Sequence, residues 1–145
     1  MKIATAAEMH DLGKRIGAQC RAGDLILLNG PLGAGKTVLV QGIGDALGIN
    51  DVTSPTFVIS RIHKATLPLI HVDAYRLLED GNAALYLDDL DLDSPRESAV
   101  TVIEWGGEES ARLSEERLEI VIDRTSEERE VTITPIGSRW AGFSV

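Results

Sequence analysis

Apolar residues recur along the chain in distinct rhythms. Met9, Leu12, Ile16 and Cys20 share one face at helical spacing, and Val38, Leu39, Val40, Ile43, Ala46 and Leu47 repeat that rhythm further on. Leu25-Ile26-Leu27-Leu28 and Ala99-Val100-Thr101-Val102-Ile103 are short unbroken runs, the mark of strands covered on both faces. Leu118 to Asp123 and Val131 to Thr134 instead alternate in and out around Thr125-Ser126-Glu127-Glu128, which predicts an antiparallel hairpin.

Turn and cap signals divide these runs into elements. A strand is expected at 2–4 and a helix from about 6 to 21, opened by Thr5 and Glu8 as a capping box and ended by Gly23. A central strand at 24–29 follows, then a helix reaching Leu47 with Gly48 as its C-terminal cap. Gly42 and Gly44 each cost that helix ~1 kcal/mol against alanine, and close packing on the sheet is the expected reason for them. Pro55 closes a polar turn before the β-rich run 57–62, Lys64-Ala65-Thr66 is a hairpin connection, and Leu67 to Val72 form the next strand. Residues 79–98 are strongly acidic, with Leu85, Leu87, Leu90 and Leu92 spaced through them, and read as a short helix plus loop. They lack the glycine and terminal glutamate of an EF-hand, so a solvated face or a partner contact is the reading. A further short helix is expected near 108–113. The sum is one α/β domain, three layers deep, with a sheet partly parallel and partly antiparallel and a C-terminal β-hairpin.

Composition narrows what such a domain can do. At 145 residues the chain holds one core. Its 43% hydrophobic content and mean hydropathy of +0.02 are ordinary for a soluble protein, and no apolar window is long enough to span a membrane. Glu8, His10 and Asp11 interrupt any secretion signal, so a cytoplasmic location is expected. Cys20 has no partner for a disulfide and lies on a helical apolar stripe, which makes it a buried, inert thiol. The net charge of −9 and the lack of any lysine or arginine run argue against unaided nucleic-acid binding.

The chemistry begins at Gly30-Pro31-Leu32-Gly33-Ala34-Gly35-Lys36-Thr37. This stretch fits G-x-x-x-x-G-K-[ST] at every fixed position and lies between a predicted strand and a predicted helix. Its glycines let backbone amides face one concavity at a helix N-terminus, a cradle for phosphate. Lys36 adds a charge for the outer phosphates, and Thr37 offers a hydroxyl to magnesium. Asp73 and Glu104 each follow an apolar strand and could hold that metal, with Tyr75 and Trp105 beside them as shields. Taken singly, each acid reads equally well as a helix cap. Ser54 and Thr56 could supply a hydroxyl that senses the outer phosphate, and a rigid turn around Pro55 accounts for them as well. A GTPase is disfavoured because no N-K-x-D segment occurs. A small-metabolite kinase remains the alternative, although the readable loops are acidic or short where an arginine-rich lid would be needed.

The motifs at 30–37, Ser54-Pro55-Thr56-Phe57, His71-Val72-Asp73-Ala74-Tyr75-Arg76 and Ile103-Glu104-Trp105 together resemble the bacterial TsaE (YjeE) family in order and spacing, over roughly residues 3–135. The resemblance implies a P-loop NTPase-like fold and a cytoplasmic, magnesium-dependent ATPase of tRNA threonylcarbamoyladenosine biosynthesis. It also implies action with the TsaB–TsaD pair, which transfers the threonylcarbamoyl group to an adenosine beside the anticodon. ATP hydrolysis would reset that pair between rounds, and tRNA would be held only through the partners. Carried over, Lys36 and Thr37 hold phosphate and magnesium, Ser54 to Phe57 (with Thr56) look like switch I, His71 to Arg76 (with Asp73) look like switch II, and Glu104 is a metal ligand. Adenine would lie near Thr5 and Arg129. Two departures stand out: Pro31 where family members often carry an acid, and residues 79–98, which match poorly.

Overall fold

In the computed structural model, which describes residues 1–31, 33–49, 60–63, 65, 67–73, 98–104, 116–124 and 128–145, the elements run β1 (Lys2–Ile3), α1 (Ala6–Gly17), β2 (Leu25–Asn29), α2 (Lys36–Ala46), β3 (Ser60–His63), β4 (Leu69–Asp73), β5 (Val100–Glu104), β6 (Arg117–Asp123) and β7 (Arg129–Ile136), with a 3-10 turn at Ser138–Trp140. The strands form one sheet in the order β1-β7-β6-β2-β5-β4-β3. β2 is the central strand, parallel to β5 on one side and β6 on the other. β4 extends the parallel part, while β3, β7 and β1 pair antiparallel at the two edges. The mixed sheet and the C-terminal hairpin are therefore both present.

Burial follows the hydrophobic pattern. Every residue of β5 and all but the last of β2 are buried, as parallel strands covered on both faces should be. β6 alternates instead, burying Leu118, Ile120 and Ile122 beneath the helices. That face of the sheet joins Met9, Leu12 and Ile16 of α1 and Leu39, Val40 and Ile43 of α2 in one apolar cluster. Among the described residues α1 and α2 are the α-helices, and they pack against each other. The helices expected within 79–98 and near 108–113 lie outside the described residues.

Two expectations are corrected. The first helix ends at Gly17, not near 21, because the chain tightens: Gln19 and Cys20 donate their N–H groups three residues back, to Ile16 and Gly17. Buried Asp24 then captures the Arg21 N–H at 2.7 Å, and Gly23 (φ 91°) serves that turn rather than the helix end. The second concerns Gly42, which meets α1 and not the sheet. A Cβ there would stand 2.1 Å from the His10 carbonyl oxygen, and one on Gly13 would stand 2.1 Å from the Leu39 oxygen. The two backbones approach so closely that only hydrogen fits between them. His10 and Asp45 clip the same pair of helices at 2.6 Å.

The caps follow the sequence. Thr5 Oγ1 accepts the Glu8 N–H at 3.1 Å, while Glu8 Oε2 reaches one residue past the cap to the Ala4 N–H at 2.8 Å. At the other end of α2, Gly48 takes the left-handed conformation (φ 82°), with Ile49 N–H on Gly44 oxygen and Gly48 N–H on Asp45 oxygen. This is the Schellman ending.

Candidate functional site

β2 delivers the chain to Gly30 at the centre of the sheet, and α2 leaves from Lys36. The loop between them fits only because certain positions lack a side chain. A Cβ on Gly30 would stand 2.9 Å from the Ile122 oxygen of neighbouring β6. Gly35 caps α2 with φ 103°, a conformation that side chains rarely adopt. The Ala34 N–H donates to the Pro31 oxygen at 3.1 Å, which closes the turn, and Ala34 itself is buried. Lys36 folds inward, mostly buried, with Nζ donating to the carbonyl oxygens of Gly30 and Pro31. Proline at 31 thus removes one amide donor but keeps a carbonyl that both closes the loop and holds the lysine.

A cleft of about 240 Å³ opens beside the loop, bordered by Thr5, Met9, Gly33, Gly35, Val38 and Arg129. The structure therefore brings Thr5, from the start of α1, and Arg129, from β7, to the same side of the phosphate loop. Arg129 Nη2 also donates to the Gly33 oxygen at 3.4 Å. The walls are largely apolar with a few polar groups, which suits a flat aromatic ring.

Arg124 was not singled out by the sequence. It directly follows β6, and its guanidinium occupies the space over Gly33, where a Cβ would stand 2.8 Å from Nη1. Position 33 is unconstrained in the general loop pattern; here glycine admits both its own positive φ of 75° and this arginine. The only hint was a basic residue at a strand end. Which strand would neighbour β2 was not visible without the sheet order.

On the other side of β2, the parallel register sets Asp73 opposite Glu104 and Glu104 opposite Leu28, two residues before Gly30. Both acids thus end adjacent strands at the edge where the phosphate loop begins, the edge at which ligands gather in open α/β sheets. Asp73 is placed by its backbone alone. Glu104 is 5% exposed, and its Oε2 lies 3.1 Å from Nε2 of fully buried His71. Among the described residues no group of three or more histidines, cysteines, aspartates or glutamates forms a metal site. Magnesium in nucleotide sites is held by one or two carboxylates together with phosphate oxygens, so Thr37, Asp73 and Glu104 are donors of the right kind and number. Leu32, the segment Ser54 to Phe57 with Thr56, Ala74 to Arg76, and Trp105 lie outside the described residues.

Cys20 is the one thiol, and burial pushes its pKa from 9.0 to about 12, with nearby Asp24 adding to the rise and Arg139 opposing it. It takes no part in the site. No helix among the described residues is long and apolar enough to cross a membrane.

Known proteins are similar across this whole architecture. The model of the family described as "Threonylcarbamoyl adenosine biosynthesis protein TsaE" matches residues 3–131. A Streptomyces coelicolor protein named tRNA threonylcarbamoyladenosine biosynthesis protein TsaE is 47% identical, over 94% of this chain and 97% of its own. A Bacillus subtilis protein of the same name is 39% identical, over 92% of this chain and 83% of its own. The crystal structure of Bacillus subtilis YdiB superposes with a TM-score of 0.73 at 32% identity, covering 97% of this chain and 87% of that one.

Proposed function

The chain belongs to the TsaE family, and from that premise we propose that it is the magnesium-dependent ATP-binding and hydrolysing component of tRNA threonylcarbamoyladenosine biosynthesis. In this reading it works in the cytoplasm with the TsaB–TsaD pair to support threonylcarbamoyl transfer to the adenosine beside the anticodon. The observation that carries the ATPase reading is the phosphate loop at the central strand, with an apolar cleft on one side and two strand-end acids on the other.

In this reading each group has its own work. Loop amides and the α2 N-terminus cradle the phosphates, and Lys36 turns from the Gly30 and Pro31 oxygens to the outer phosphates when they enter. The cleft between Thr5 and Arg129 takes adenine. Thr37, Asp73 and Glu104 hold magnesium, which when bound neutralises charge on the outer phosphate oxygens. Thr56 supplies a hydroxyl to the outer phosphate. With a net charge of −9, the chain leaves tRNA to its partners.

The test is ATP turnover measured with and without TsaB–TsaD. Turnover should rise with the pair and appear as free inorganic phosphate. Lys36→Ala should abolish it, and wild-type turnover in that variant, or phosphate appearing on a metabolite instead, would overturn the reading.

A further inference from the structure

His71 has no task in the reading above, and its surroundings suggest one. It is 0% exposed and sits on the helix-covered face of β4, where its register partner is Val102, two residues before Glu104 on β5. A histidine that only filled space would cost less as leucine, because a buried polar atom left without a partner is destabilising. Here neither ring nitrogen has a hydrogen-bond partner among the described residues. Yet Nε2 stands 3.1 Å from Glu104 Oε2, within hydrogen-bond distance but off its direction. Glu104 has matching needs. Its side chain is 7% exposed, and among the described residues His71 is its polar partner.

We propose that His71 is a positioning residue for Glu104. Nε2–H donates to Oε2 after a small rotation of the ring, which fixes the carboxylate and leaves Oε1 to act at the strand end beside the phosphate loop. The need is physical. A carboxylate at the end of three side-chain torsions would meet a metal in many orientations, and hydrogen bonds behind a ligating group narrow them. What Oε1 then does, holding magnesium, rests on the ATPase reading; the pairing of His71 with Glu104 does not.

Two measurements test this. The first is equilibrium binding of a fluorescent ATP analogue against magnesium concentration, for wild type, His71→Leu and His71→Gln. Loss of a group supporting a metal ligand weakens metal affinity about 10- to 100-fold, so His71→Leu should raise the magnesium midpoint by that factor and leave magnesium-free binding unchanged. His71→Gln, whose amide can donate from nearly the same place, should restore the midpoint to within about threefold of wild type on the same scale. The second is the side-chain nitrogen spectrum of His71 in metal-free protein, which should shift on Glu104→Gln. A wild-type midpoint in His71→Leu, or a His71→Gln variant as impaired as His71→Leu, overturns the proposal. So does a His71 spectrum indifferent to Glu104→Gln, a result that stands even if His71→Leu fails to fold. Wild-type protein without any magnesium-dependent nucleotide binding overturns the ATPase reading instead, and the spectrum alone then decides the pairing.

Discussion

At the scale of single residues, the site is built as much from what glycines omit as from what side chains add. Gly33 leaves room for the Arg124 guanidinium, and Gly30 for the backbone of β6. Arg124 is exposed, so its charge is largely screened and a contribution in the range of exposed ion pairs, about 0.2–1 kcal/mol, is expected. Arg124→Ala should therefore weaken ATP binding only about 1.4- to fivefold on that scale, with the loss shrinking as salt is added; titration at two ionic strengths checks this. Cys20 illustrates the opposite case, a group whose environment matters only outside the site. In the unfolded chain its thiol ionises near 9.0, whereas in the fold it waits until about 12. Below the first value it is protonated in both states and has no effect. Between the two the unfolded chain alone gains by losing the proton, so the thiol lowers stability as pH rises. Denaturant titrations of Cys20→Ala should accordingly show a flatter loss of stability across that alkaline window than wild type, and the same behaviour below it.

Elements were readable where the period was strong and misjudged where a tertiary contact intervened. Both helices and the strands of the sheet follow the hydrophobic rhythm, and Gly48 ends α2 as its position after the last apolar residue suggested. At Gly42 the neighbour is α1 and not the expected sheet; a glycine in a helix announces a close approach without saying what approaches. The His10 oxygen of α1 would stand 2.1 Å from any added Cβ. Gly42→Ala must push the two helices apart. Overpacking of this kind costs about 1–3 kcal/mol, which urea or thermal denaturation would register. Since α2 begins at the phosphate loop, the same variant should bind ATP more weakly, whereas a purely local cost would leave affinity unchanged.

For the whole molecule, the chain's last residues matter more than the matched family segment suggests. That segment stops at 131, yet Trp140, beyond it, is 1% exposed and belongs to the main apolar cluster. Arg139 secures it. Its guanidinium donates to both carboxylate oxygens of Asp24, at 2.8 and 2.7 Å, and to the Gln19 oxygen at 2.7 Å, while lying 4.1 Å over the Trp140 ring. Asp24 is 4% exposed, so Arg139→Ala leaves a buried carboxylate without its charged partner and with the Arg21 N–H still in place, a loss at or below the about 3–5 kcal/mol of fully broken buried pairs. A marked drop in unfolding midpoint is the expected result; a change near zero would show that water satisfies Asp24 instead.

The sequence by itself determined the α/β class, the phosphate loop and its flanking strand and helix, the acids at strand ends, and the family. These are local patterns: period, capping and motif spacing are written in consecutive residues. Only the tertiary structure decided that β6 flanks β2 and carries Arg124 over Gly33, that Gly42 faces α1, and that His71 lies against Glu104. Each is a meeting of residues distant in the chain, fixed by strand order and register. Hydrophobic patterning specifies which face of an element is buried, but many partners could cover that face, and the choice among them belongs to the packing of the whole.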